Sequence, residues 1–204
     1  SVGLDRELLV GAIDMHVHAA PDASIRRLLD VEEAARQAEQ AGMAGLVFKH
    51  HDYCTAPLAE LVNKHLTSCR VFGSICLDGP VGGLNPEAVE QAAKLGARVV
   101  WMPTFSSHQD RSRRGGQGIR VVDEKGQLLA ATRQILEIIR EHQMVLATGH
   151  ISRDETFAVV AAARAMGISR IVITHPMTRS FGANLDVDDQ VALAEQGAYI
   201  EHCF

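Results

Sequence analysis

The sequence predicts an α/β protein of the (β/α)8 TIM-barrel type, truncated after its seventh strand and forming a single domain over residues 1–204. Three observations point there. Short β-branched runs alternate with Ala/Glu/Gln-rich stretches, and their starts lie roughly 30 residues apart, with one wider gap near 47. The runs are continuously apolar, as strands buried on both faces are, rather than alternating. Histidines gather at the carboxyl ends of the runs, which in a barrel form the face that carries chemistry.

The strand candidates, in order, are Gly11–His18, Gly45–His51, Val71–Leu77, Arg98–Thr104, Val145–His150, Arg170–His175 and Ala198–Cys203. Helices are expected between them. Val31–Ala41 has Asp30 as its cap, with Glu33 three residues on, and stops at Gly42. Pro57–Thr67 and Pro86–Leu95 each open on proline, and Asn85 caps the second. Leu128–His142, Asp154–Met166 and Val187–Gln196 complete the set. A glycine just ahead of the next strand recurs at Gly42, Gly96, Gly167 and Gly197, the αβ connection of a wound fold.

The wide gap is an excursion over 105–127. It holds His108 and the run Arg111-Ser112-Arg113-Arg114-Gly115-Gly116, then a small hairpin across Asp123-Glu124-Lys125-Gly126. Long excursions are usually functional or mobile. His108, Arg111, Arg113 and Arg114 are candidates for an anion-binding lid; a solvated loop is the competing reading.

Composition excludes several function classes. The formal net charge of −5 argues against a nucleic-acid surface, which would be basic. No apolar run approaches the roughly 20 residues of a membrane helix, and no basic-then-apolar leader is visible. Cys54, Cys69, Cys76 and Cys203 show no CxxC spacing, so a reduced, cytoplasmic protein is expected.

Strands and helices alone leave an open doubly wound sheet and a barrel both possible, and the histidines decide for the barrel. Of ten, His16, His18, His50, His51, His150, His175 and His202 fall at strand ends. In Asp14-Met15-His16-Val17-His18, strand alternation sends His16 and His18 to one side. Converging neutral imidazoles are poorly solvated unless they share a metal. His150 and His175 end the fifth and sixth strands. In Phe48-Lys49-His50-His51, Lys49 and His51 share parity and face inward. Lys49 is open to carboxylation, to binding a substrate carboxylate, or to pairing with a strand-end acid such as Asp14 or Glu201. Glu201, beside His202, could be a ligand, a base or the partner of a ligating histidine.

The spacing of His16, His18, His150 and His175 resembles the amidohydrolase superfamily of metal-dependent hydrolases. The flanking segments, Asp14–Asp22 and Gly79–Pro86, are similar to a little-characterised branch of predicted cytosolic proteins of unknown function. The resemblance implies a (β/α)8 barrel with HxH after strand 1, a histidine after each of strands 5 and 6, and a catalytic Asp after strand 8. The sequence departs from this pattern twice. It stops at Phe204, before any eighth strand, and the natural chain is expected to continue. Strand 4 also carries neither the Lys nor the Glu that bridges two metals in many members.

The expected function is therefore metal-dependent hydrolysis of a small amide, lactone or ester. One or two divalent ions, with zinc foremost, would sit on His16, His18, His150 and His175, and the general base is not identified. Lys49, His51 and Glu201 are candidate metal or substrate contacts. The rivals are a non-catalytic metal- or small-molecule-binding barrel and a decarboxylase or isomerase of the same superfamily. A small-molecule substrate is the expected partner, without nucleic acid or membrane, and a homo-oligomer is open.

Overall fold

The computed structural model describes residues 7–203. Its strands are β1 (Ile13–Val17), β2 (Gly45–Phe48), β3 (Arg70–Phe72), β4 (Ser74–Cys76), β5 (Val99–Trp101), β6 (Val145–Ala147), β7 (Ile171–Ile173) and β8 (Tyr199–Ile200). Its helices are α1 (Val31–Gln40), α2 (Ala56–Asn63), α3 (Pro86–Lys94), α4 (His108–Ser112), α5 (Ala130–Glu141), α6 (Arg153–Ala165) and α7 (Val187–Glu195). All strand pairs are parallel, in the orders β1-β2-β3 and β4-β5-β6-β7-β8.

β3 and β4 are one strand broken at Gly73. A side chain there would collide with the Ala56 backbone at the start of α2, so only glycine lets helix and strand approach so closely. Across the break the Gly73 carbonyl accepts from Arg98 N–H at 2.8 Å, carrying the array on to β5. Seven strand positions thus follow one another in sequence order, each linked by a helix on the outside. No ladder joins β1 to β8 among the described residues. A largely apolar cleft of about 340 Å³ lies where they face each other, lined by Met15, Val145, Val172, Tyr199 and Ile200.

Local chemistry explains the elements. Asp30 and Glu33 form a reciprocal capping box on α1, and Ser152 with Glu155 does the same on α6. Asn85, Ser107 and Asp186 cap α3, α4 and α7 through their side chains. The inner strands β2, β4 and β5, buried on both faces, feed two layers of core. Val47, Cys76, Val99, Trp101 and Ala147 fill the barrel interior. Between strands and helices, Ile135, Leu136 and Ile139 of α5 are completely buried with Leu146, Val159 and Ile171. Each such side chain contributes about 1.5–3 kcal/mol by leaving water.

The excursion after β5 differs from expectation. The short helix α4 was not legible in the sequence, and the expected hairpin shrinks to one antiparallel bridge, Val122 to Leu128. The Asp123 carboxylate takes the N–H groups of Lys125 and Gln127, so the turn satisfies itself without a longer ladder. No helix among the described residues is long and apolar enough to cross a membrane. Cys54, Cys69, Cys76 and Cys203 are free thiols.

Candidate active site

A β-bulge starts the site. Asp14 pairs with Leu46 and Val17 with Phe48, so β1 spends three residues where β2 spends two. Met15 packs in the barrel interior and Val17 in the outer layer, while His16 and His18 meet with their Nε2 atoms 3.2 Å apart. On β2, Val47 points inward and Leu46 and Phe48 outward. Period-two alternation then carries Lys49 and His51 to the site and His50 away from it.

Across the barrel the ends of β6 and β7 bring His150 and His175 together, again with Nε2 atoms 3.2 Å apart. Gly149 sets His150 up. Its φ of +61° and its contact with the carbonyls of Met102 and Pro103 exclude a side chain. His16 lies 5.7 Å from His175 between ring centroids, and His51 lies 4.9 Å from His18 and 6.4 Å from His150. Phe105 and Phe181 pack on the outer side of this ring, on His51, His150 and His175.

Two carboxylates fix two of the imidazoles. Glu201, just past β8, accepts from His16 Nδ1 at 2.8 Å. Asp110, on α4, accepts from His150 Nδ1 at 2.6 Å, and its other oxygen accepts from Gly182 N–H at 2.8 Å. A carboxylate against Nδ1 places the proton there, which leaves each Nε2 unprotonated, an acceptor. His16 Nε2 accepts from Lys49 Nζ at 3.0 Å, and Lys49, 1% exposed, also lies over the Trp101 ring.

Burial keeps these imidazoles uncharged. It pushes His18 down to about 2, His175 to about 3 and His150 to about 4, and it lowers His16 as well. Burial likewise lowers Lys49. Burial, the largest single effect, would raise Glu201, but the His16 hydrogen bond, the Cys203 thiol and the charges nearby together outweigh it and hold the carboxylate ionised.

The donor set fits a divalent ion. For a metal–nitrogen bond of about 2.0–2.1 Å, two tetrahedral ligands sit roughly 3.3 Å apart, close to both Nε2 separations. Among the described residues, the Nδ1 atoms of His18 and His175 are buried without hydrogen-bond partners. The four histidines nonetheless form two pairs rather than one tight cage. Among the described residues, the sets of three or more possible donors within 4.8 Å of one another are His16/Glu201/Cys203 and Asp22/His50/Asp52. His16 Nδ1 carries the proton Glu201 accepts, and His50 Nδ1 accepts from Asp52 N–H, so His50 Nε2 carries its proton and points at Asp22.

The excursion contributes differently from the expected lid. Arg111 donates to the Phe105 carbonyl, Arg113 lies 3.8 Å from Asp110, His108 bonds Arg120, and Arg114 is exposed. Its contribution to the site is Asp110, which the sequence reading missed, as it missed Asp78 and Thr104 beside His51. The pattern Ser107-x-x-Asp110 was the available signal, a cap followed by an acid.

The fold recurs in solved structures from Pseudomonas aeruginosa. The probable dipeptidase PvdM superposes with a TM-score of 0.68 at 13% identity, covering 98% of this chain and 62% of that one. An amidohydrolase gives 0.60 at 11% identity, covering 99% and 64%. This chain thus spans a little under two thirds of either protein. A comparison with curated proteins found no match. The profile of a family of unknown function, DUF6282, matches residues 11–201, which hold all the strands and every imidazole of the site, and the chain belongs to that family.

Proposed function

We propose that the protein is a metal-dependent hydrolase of small amides, lactones or esters, with His16, His18, His150 and His175 holding the ion. The observation that carries the reading is the pairing of carboxylates with imidazoles. Glu201 on His16 and Asp110 on His150 each turn an unprotonated Nε2 toward a second histidine 3.2 Å away. Metal-ligating histidines are commonly oriented in this way. Neutral imidazoles in a buried pocket suit zinc.

A bound ion supplies a water of lowered pKa and polarises the carbonyl under attack. The chain's own residues provide the frame. Glu201 and Asp110 hold the Nδ1 protons and fix ring orientation. Phe105 and Phe181 screen the imidazoles from bulk water. Lys49 directs an N–H donor toward the centre from β2. The likeness to a probable dipeptidase and an amidohydrolase supports a hydrolytic reading.

The test is the metal content of protein purified without added metal, beside a His16→Ala/His18→Ala variant, followed by a panel of amides, lactones and esters. About one or two equivalents of zinc, lost in the variant, with turnover on the panel, are expected. No metal in either protein and none taken up on titration would overturn the proposal. One observation favours a binding role without turnover: among the described residues, the carboxylates braced against the imidazoles, Glu201, Asp110 and Asp78, are each engaged in internal hydrogen bonds. Metal bound without turnover on any substrate would select that reading.

A further inference from the structure

His51 is built into the centre by a chain of buried groups that the four-histidine reading does not use. Its Nδ1 lies 2.6 Å from Thr104 Oγ1. The Thr104 hydroxyl in turn donates to Asp78 Oδ2 in a short hydrogen bond. Thr104 is completely buried and Asp78 is 1% exposed. A hydroxyl has one proton, and Thr104 gives it to Asp78, so Thr104 must accept from His51. The proton therefore sits on His51 Nδ1, and Nε2 is left bare. No hydrogen bond reaches that Nε2 among the described residues, and the ring stacks 4.9 Å from His18. The arrangement matches His16–Glu201 and His150–Asp110, with one hydroxyl inserted between ring and acid.

Asp78 also accepts the backbone N–H groups of Thr104 and Ser106, both at 2.9 Å. The hydroxyl link to His51 comes in addition to these two bonds.

We infer that His51 is a fifth imidazole ligand of the proposed metal centre, presented to it by the Asp78–Thr104 relay. The inference rests on the metal-binding reading above. It places a ligand just past the end of β2, between the His16/His18 pair and the His150/His175 pair. Asp78 and Thr104 act as positioning residues, fixing the tautomer and the ring plane.

The experiment combines zinc titration against a competing chelator with the visible spectrum of the cobalt(II)-loaded protein, which reports the number of ligands. His51→Ala should change the cobalt spectrum and weaken zinc binding at least tenfold. Thr104→Ala should weaken zinc binding roughly 10- to 100-fold, and Thr104→Ser, which keeps the hydroxyl, should restore it. A His51→Ala protein with the wild-type cobalt spectrum and zinc affinity would overturn the assignment. If the Thr104 variants fail to fold, imidazole 15N spectra of the unaltered protein decide. The His51 Nε2 resonance should shift on zinc addition while Nδ1 keeps its proton, and an unmoved Nε2 would overturn the inference. Zinc bound without His51 removes this inference alone, whereas wild-type protein that binds no metal removes the function proposed above as well.

Discussion

Replacing Asp110 by asparagine changes one atom and tests how the centre is oriented. Asp110 is 3% exposed and accepts two hydrogen bonds, from His150 Nδ1 at 2.6 Å and from Gly182 N–H at 2.8 Å. Asparagine has one acceptor and one donor group at these positions. If its oxygen stays on Gly182, its NH2 faces His150 and forces the ring into the other tautomer, with the proton on Nε2 where the ion would bind. If the amide flips, His150 keeps its tautomer but Gly182 N–H meets another donor and is left unsatisfied. A buried unsatisfied group costs about 1–3 kcal/mol. Metal binding must bear that cost, so zinc affinity should fall roughly 5- to 150-fold at 1.4 kcal/mol per tenfold. The metal-free protein can adopt the first arrangement and keep its hydrogen bonds, so its melting temperature should change little. The assay is zinc titration by chelator competition, paired with thermal unfolding of the metal-free proteins. Zinc affinity within twofold of wild type would refute the tautomer argument. A large loss of metal-free stability would make Asp110 a structural brace of the Gly182 loop instead.

Other predictions follow from the same geometry. Glu201→Gln should weaken zinc binding over the same range through His16, and unchanged affinity would detach Glu201 from the centre. The metal-free protein should lose stability as pH falls from about 6.5 toward 4. There the unfolded chain takes up protons that folded His18, His175 and His150, held at about 2, 3 and 4, refuse. The slope is at most about 1.4 kcal/mol per pH unit for each histidine, and a melting temperature flat between pH 7 and 5 would contradict it. Gly149→Ala puts a methyl group against the carbonyls of Met102 and Pro103 at positive φ. It should cost about 2–5 kcal/mol in unfolding free energy, and a cost under 1 kcal/mol would mean that the turn before His150 yields easily.

The wound α/β order was legible because the strands are largely apolar runs and several of the helices between them carry their own punctuation. Asp30 and Asn85 mark helix starts by chemistry that acts within three residues, which a sequence displays directly. Lys49 and His51 could be placed inward from period-two alternation. The same alternation was too simple for β1, where the bulge turns both Met15 and His16 inward and nothing in Asp14–His18 announces it. Glu201 was legible as a candidate partner of a ligating histidine from its place at a strand end, and it meets His16 across 185 positions. Asp110 was the least legible part, because it reaches His150 across 40 positions from an excursion whose course depends on the assembled barrel. Asp110 also looks like the acid of an ordinary capping box. Ser107 does cap its backbone N–H, yet the carboxylate turns away from the cap and into the core.

The central claim is that the paired imidazoles form one metal centre at the carboxyl ends of the strands. An anomalous difference map at the zinc edge, from crystals grown with zinc, tests it most directly. The account predicts density bonded to Nε2 atoms of His16, His18, His150 and His175. Density instead at Asp22, His50 and Asp52, or on the Nδ1 side of His16 beside Cys203, would contradict it.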